Sequence, residues 1–116
     1  MAEHNDTGKQ GETLAVEYLM NIGFEILHKN WRYHHHEIDL IASKGGILHF
    51  VEVKTRTSDK WGFPEDEVTI QKFKSIKTAA SGYLYRYPTG KRVQFDILAI
   101  ILQPKLNFLL IEDVYF

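Results

Sequence analysis

The sequence predicts an α/β fold in which a mixed five-stranded sheet is flanked by helices. Two segments carry apolar residues at helical spacing, and five others are rich in β-branched and aromatic residues. These segments follow the order helix, three strands, helix, two strands, which is typical of an α/β sandwich. Because the last two strands are reached through the second helix, we expect some strands to pair in parallel.

Length and composition indicate one domain, residues 1–116. The chain has 116 residues, of which 44% are hydrophobic, enough for one core. It has no cysteine, which excludes disulfides and thiolate zinc sites and fits the cytoplasm. The amino terminus lacks the apolar segment of a secretory signal, and the longest apolar run, Ile97 to Leu102, is too short to span a bilayer. We therefore expect a cytoplasmic protein that does not insert into membranes.

The first helix is expected to start near Thr7 and to bury one apolar stripe. Thr7 followed by Gln10 resembles a capping box, and Gly23 is expected to end the helix. Gly8 and Gly11 are poor helix formers, which predicts either an irregular first turn or close approach to another backbone. The stripe consists of Leu14, Ala15, Tyr18, Leu19 and Ile22.

Glu12 lies at the edge of this stripe, because Ala15 and Leu19 follow it by three and seven residues. Its carboxylate is therefore expected to point towards the core side. A glutamate near a helix start is also favoured by the helix dipole, without any function. Spacing alone favours this second interpretation.

The first strand is expected from Phe24 to Tyr33. Phe24 and Ile26 are expected to be buried, and Leu27 is a further candidate for burial. The histidine tract 34–36 follows it. Neighbouring side chains of an extended chain point apart, so three consecutive histidines cannot all face one metal. The tract is expected to be a solvated connection that adds pH-dependent charge.

The central feature is a hairpin, in which Glu37 to Ser43 pairs antiparallel with Ile47 to Thr55 across the turn at residues 44–46. Alternation puts Glu52 and Lys54 on one face of the second strand, beside Leu48 and Phe50. Asp39 shares a face with Glu37 and Ile41 in the first strand. If the two charged faces coincide, Asp39, Glu52 and Lys54 converge.

Charges at the edge of a buried sheet cost free energy unless they are paired or bind something. The simplest interpretation of this trio is a salt bridge from Lys54 to Glu52 or Asp39. Two carboxylates and an ammonium also suit a divalent cation with a water beside it. Because the strands are otherwise apolar, we favour a functional site.

The second half of the chain is expected to hold a loop, a helix and two strands. Residues 57–67 read as a loop, whose Trp61 and Phe63 either stack on bases or cover the core. The helix is predicted from Thr69, its N-cap, to Tyr87, and the strands from Arg92 to Leu102 and from Leu106 to Val114. Asp96 interrupts an apolar run and predicts a buried hydrogen bond. The expected buried face of the helix consists of Phe73, Ile76, Ala80, Tyr83, Leu84 and Tyr87.

Glu37-Ile-Asp39 followed by Glu52-Val-Lys54 resembles the motif of the PD-(D/E)XK nuclease superfamily, which has a restriction-endonuclease-like fold. The chain is also similar to the YraN family of uncharacterised bacterial proteins, which resemble archaeal Holliday-junction resolvases. His36 stands where relatives usually have glycine. The matching segments span nearly the whole chain and comprise Gly8 to Ala15, Asn30 to Arg32, Glu37 to Ala42, Phe50 to Arg56, Val68 to Lys72, and Phe95 to Asp96.

The resemblance implies a metal-dependent DNA endonuclease, with branched or junction DNA as a candidate substrate. Asp39 and Glu52 would bind Mg²⁺, with Mn²⁺ as the other candidate, and the Val53 carbonyl would complete the ligands. A two-fold dimer is expected if both strands of a junction are cut symmetrically.

The resemblance also implies roles for four charged residues around the carboxylate pair. Lys54 would position the attacking water or stabilise developing charge. Glu12 would be an outer acidic member of the site. Arg56 and Lys72 would contact phosphates.

Charge leaves two other functions open. The net charge is −1, although the segment from Lys54 to Arg92 holds nine basic and four acidic residues. One alternative is a non-catalytic nucleic-acid-binding accessory module with the same fold, which the balanced charge favours. The other is a protein-interaction domain in which the charged trio is structural.

Overall fold

The fold is seen in a computed structural model, which describes residues 2–58 and 69–114, with side chains from residue 7 onward. The described residues form two α-helices and five β-strands in the predicted order of helix, three strands, helix, two strands. Their bounds are α1 Ala2–Asn21, β1 Glu25–Tyr33, β2 His36–Lys44, β3 Ile47–Ser58, α2 Ile70–Arg86, β4 Arg92–Gln103 and β5 Asn107–Ile111.

The five strands form one mixed sheet in the order β1-β2-β3-β4-β5. β3 and β4 pair in parallel, as expected from the crossover through α2, and the other neighbours are antiparallel. Gly45 and Gly46 form the two-residue turn between β2 and β3, with φ values of 59° and 77°. Two successive left-handed residues match the right-handed twist of the strands they join. The predicted mixed five-stranded sheet with flanking helices is therefore confirmed, and it has a restriction-endonuclease-like core.

Each face of the sheet is covered by one helix. Ala15 and Leu19 of α1 pack on one face against Leu40, Val51 and Leu98. On the other face, α2 packs against a cluster of strand residues, and Thr69 caps its amino end as predicted, its hydroxyl accepting from the Lys72 N–H. The α2-side cluster of buried residues consists of Ile38, Ile41, Leu48, Phe50, Ile76, Ala79, Ala80 and Tyr83. The central strands are thus covered on both faces, which explains their apolar sequences.

Several boundaries differ from the prediction. α1 starts at Ala2, so Thr7 lies inside the helix and the predicted capping box is wrong. The sequence before Thr7 contains no proline or glycine, so nothing in it ends the helix there. β3 continues to Ser58 because its parallel pairing extends as far as Gln103, so two residues of the expected loop are strand. The rest of that loop, including Trp61 and Phe63, lies outside the described residues.

β5 is shorter than predicted and ends at Ile111. Asp113 adopts a left-handed conformation, with φ of 58°, and its N–H donates to the Asp96 carboxylate instead of to a strand. Two predicted core residues also differ. Leu27 is 38% exposed because the pairing of β1 shifts register there, and Tyr87 is 39% exposed at the end of α2.

The histidine tract is only partly the expected solvated connection. His34 and His35 are exposed, but His36 begins β2 and its Nδ1 lies 2.6 Å from the Ser75 hydroxyl of α2. Partial burial and, after it, the neighbouring His35 and His34 lower the pKa of His36. The imidazole at this position therefore ties β2 to α2.

Within the described residues, neither helix has the length and apolar character needed to cross a membrane.

Candidate functional site

The site begins where β2 and β3 stop pairing. Their antiparallel ladder runs from the turn to the Leu40–Val51 pair. Beyond it, the Val53 N–H donates to Asp39 Oδ2 at 2.8 Å, so a side chain replaces a strand carbonyl. The alternation of β2 also breaks here, because Ile38 and Ile41 pack on the same side of the sheet. Strict alternation assigned them to opposite faces, which is wrong at this irregular position.

Glu52 lies beside Asp39 and is only 4% exposed. Its Oε2 atom is 3.5 Å from Lys72 Nζ of α2 and 3.8 Å from Lys54 Nζ of its own strand. Its Oε1 atom is buried and has no hydrogen-bond partner among the described residues. The simple salt bridge weighed from sequence is therefore present, but it leaves half of the carboxylate unsatisfied. An unpaired buried oxygen of this kind is costly.

Asp39 titrates unusually because of this neighbourhood. Burial, and after it the charge and hydrogen bonding of Glu52, raises the pKa of Asp39 to about 7. The Val53 N–H and the Lys72 ammonium oppose that shift. The raised pKa favours the protonated form of Asp39, because an ionised Asp39 would be buried and close to the Glu52 carboxyl group.

Glu12 reaches the same region from α1. Gly11 makes this possible, because a Cβ at that position would overlap the Thr55 side chain of β3. Gly11 does approach β3 closely, but it meets the Thr55 side chain and not the expected backbone, whereas Gly8 faces open space. Glu12 Oε2 accepts a 3.5 Å hydrogen bond from the Asn30 side-chain amide. Glu12 is thus held between the first helix and the first strand, and the dipole alone does not account for its position.

A cavity of about 250 Å³ connects these residues. Its lining includes five of the seven residues named from sequence, while Glu52 lies buried beside it and Lys72 contacts Glu52 from α2. Arg56, which also lines the cavity, makes an interaction of its own. The lining consists of Thr7, Gly8, Glu12, Asp39, Val53, Lys54, Thr55 and Arg56.

Comparison with known proteins identifies the family. The family model described as uncharacterised protein family UPF0102 matches residues 11–100. The chain belongs to the UPF0102 family. This result confirms the resemblance to the YraN family, and the matched range contains the whole carboxylate and lysine cluster.

Three UPF0102 relatives illustrate the similarity. A protein of Parabacteroides distasonis is 42% identical over 118 residues, covering 100% of this chain and 97% of its own. A protein of Bacteroides fragilis is 45% identical over 101 residues, covering 87% of this chain and 84% of its own. A protein of Chlorobium chlorochromatii is 46% identical over 95 residues, covering 82% of this chain and 74% of its own. All three carry only the family name.

A second polar cluster in this UPF0102 chain lies between the strands and the carboxyl-terminal segment. His49, Asp96 and Glu112 bring potential ligand atoms within 4.8 Å of one another, a group that could bind a metal. His49 Nδ1 is 2.6 Å from Asp96 Oδ2, and both side chains are almost completely buried. The Gln94 amide and the Asp113 N–H each donate to Asp96 Oδ1 at 3.0 Å. The sequence indicated a buried hydrogen bond for Asp96 but gave His49 and Glu112 no role.

Asn30 is the other residue that sequence reasoning left without a role. Its φ of 51° lies in the left-handed region, within a strand. Residues 30–32 match the YraN family, but no local rule assigns Asn30 a role. No pattern of hydrophobicity signals a left-handed residue inside a strand, so only the structure reveals it.

Proposed function

We propose that this protein is a metal-dependent endonuclease that hydrolyses DNA phosphodiester bonds, with branched or junction DNA as its substrate class. The observation that supports this proposal most is the buried Glu52 Oε1 without a described partner, next to a second carboxyl group of raised pKa. Fold alone permits many functions, so the argument rests on this pair.

The donor set fits Mg²⁺, and Mn²⁺ accepts the same oxygen ligands. The proposed ligands are Asp39, Glu52 and the Val53 carbonyl. A divalent cation would satisfy Glu52 Oε1 and relieve the repulsion between the two carboxylates. The bound metal would supply Lewis-acid polarisation of a phosphate oxygen and a more acidic water.

The cations around the pair have separate proposed roles. Lys54 lines the cavity and would stabilise the charge that develops on the phosphate. Lys72 and Arg56 would contact neighbouring phosphates, because Lys72 lies beside Glu52 and Arg56 lines the cavity. Glu12 would hold a proton or a water at the outer side of the cavity.

The excess of basic residues between Lys54 and Arg92 supports a polyanionic partner. The cytoplasm is the proposed compartment, since bacterial DNA lies there, and a two-fold dimer would suit symmetric cutting of a junction. The net charge of −1 favours one alternative, a module that binds nucleic acid without cutting it.

The test is a cleavage panel of labelled duplex, single-stranded, flap and four-way-junction DNA, with Mg²⁺, Mn²⁺ or chelator. Asp39→Asn and Lys54→Ala should abolish cleavage while circular dichroism shows an unchanged fold. Glu25→Gln, which removes an exposed carboxylate of β1, is the matched control and should cleave like the wild type. Salt-dependent binding without cleavage by any of these proteins would instead support the binding module.

A further inference from the structure

Asn30 combines a left-handed backbone with an exposed position at the edge of the site. The ladder between β1 and β2 pairs Lys29 with Leu40 and Trp31 with Ile38, which leaves Asn30 level with Asp39. At this level Asn30 has a φ of 51°, a conformation that non-glycine residues adopt rarely and asparagine more readily than most. The irregular residue of β1 therefore stands opposite the irregular residue of β2.

The Asn30 side chain connects this position to the first helix. Its amide nitrogen donates to Glu12 Oε2 over 3.5 Å, although 18 residues separate the two in sequence. Glu12 lines the cavity with Asp39, so the amide approaches the outer carboxylate from the strand side. Apo hydrogen bonds at reactive sites are often long and shorten when the substrate binds.

The chemistry of the side chain suits the task of holding a carboxylate. A carboxamide donates a hydrogen bond without neutralising the acid, whereas lysine would cancel its charge and aspartate would repel it. Glycine would adopt the left-handed backbone without steric cost. A purely conformational requirement would therefore be met better by glycine, and the amide is the part of Asn30 that glycine lacks.

We infer that Asn30 is a positioning residue, whose left-handed backbone aims its amide at Glu12 and fixes that carboxylate at the cavity. This inference rests on the proposed function, because Glu12 matters for cleavage only if the site cleaves. It assigns no contact between Asn30 and substrate.

The experiment separates the backbone from the amide. Asn30→Gly keeps the left-handed conformation and removes the amide, whereas Asn30→Ala removes the amide and adds strain. Both should lower kcat/KM for junction cleavage by about tenfold, the effect expected for one lost hydrogen bond to a charged group. Only Asn30→Ala should be less stable than the wild type. His34→Gly, at another left-handed position, is the matched control and should cleave normally.

A double-mutant comparison tests the link to Glu12. In a Glu12→Gln background, Asn30→Gly should cause less than about a twofold further loss, because its partner charge is already gone. Full activity of Asn30→Gly, or additive losses in the double mutant, would overturn the inference.

A second measurement does not depend on cleavage. The side-chain amide resonances of Asn30 should shift in Glu12→Gln, while those of Asn107 in β5 should not. An absent shift would overturn the inference even if the wild type cleaves. A clear shift between the wild type and Glu12→Gln would support the positioning contact. If the wild type also fails to cleave DNA, the nuclease proposal is refuted while the contact stands.

Discussion

Replacing Asp39 by asparagine should stabilise the metal-free protein at alkaline pH. The new carboxamide side chain would be uncharged and could still accept the Val53 N–H through its oxygen. In the wild type, burial and Glu52 raise the pKa of Asp39 from 3.8 to about 7. The folded state therefore keeps a proton that the unfolded chain releases at a lower pH.

The sign and size follow from this difference. A carboxyl group with a raised folded pKa contributes stability below its unfolded pKa, and the contribution is lost as the pH rises through the folded value. A shift from 3.8 to about 7 corresponds to about 4 kcal/mol, at roughly 1.4 kcal/mol per pKa unit. This is an upper limit, because Asp39 is half-buried and water in the cavity screens part of the repulsion.

The assay is urea unfolding of both proteins in chelator, between about pH 5 and pH 8. The free energy of unfolding of the variant, relative to the wild type, should rise with pH across this range and approach its maximum above pH 7. A difference that is constant or falls with pH would refute the reasoning. Adding Mn²⁺ should restore the stability that the wild type loses at alkaline pH and should have little effect on the stability of Asp39→Asn. The reason is that a ligand stabilises only a protein that binds it.

Three further outcomes follow from the packing and charges. Gly11→Ala should destabilise the fold by about 1–2 kcal/mol in thermal unfolding, because overlap with Thr55 outweighs the gain in helix propensity. Asp96→Ala should cost about 2–5 kcal/mol in urea unfolding, since it leaves His49 buried without its carboxylate. Lys72→Met should weaken DNA binding and reduce the slope of log affinity against log salt by about one, measured by fluorescence anisotropy. A stable Gly11→Ala protein, an Asp96→Ala protein of normal stability, or an unchanged salt slope would each contradict the corresponding argument.

The hairpin turn and the cap of the second helix could be predicted from the sequence, because each depends on the types of a few neighbouring residues. The two glycines of the turn predict the hairpin that pairs β2 with β3, and the structure brings Asp39 and Glu52 together near its open end. Strict alternation fails around Asp39, where β2 is irregular. Thr69 also caps its helix as its residue type predicts. In these cases the outcome depends on neighbours in sequence or across one tight turn.

Features that depend on distant packing could not be predicted in this way. The role of Glu12 depends on the close approach of Gly11 to β3, and helical spacing alone favoured a helix-start residue. The raised pKa of Asp39 depends on its burial beside Glu52, which composition does not reveal. His49 acquires a partner only because the parallel pairing of β3 and β4 brings Asp96 beside it.

The most direct test of the nuclease proposal is the single-turnover cleavage rate of a labelled four-way junction in Mg²⁺, with protein in excess. Excess protein separates the chemical step from binding and product release. The proposal predicts metal-dependent cleavage by the wild type and a loss of at least about 100-fold in Glu52→Gln, which removes the buried charge that would hold the metal. Equal rates for the two folded proteins, or no cleavage by the wild type of any DNA in the panel, would contradict it.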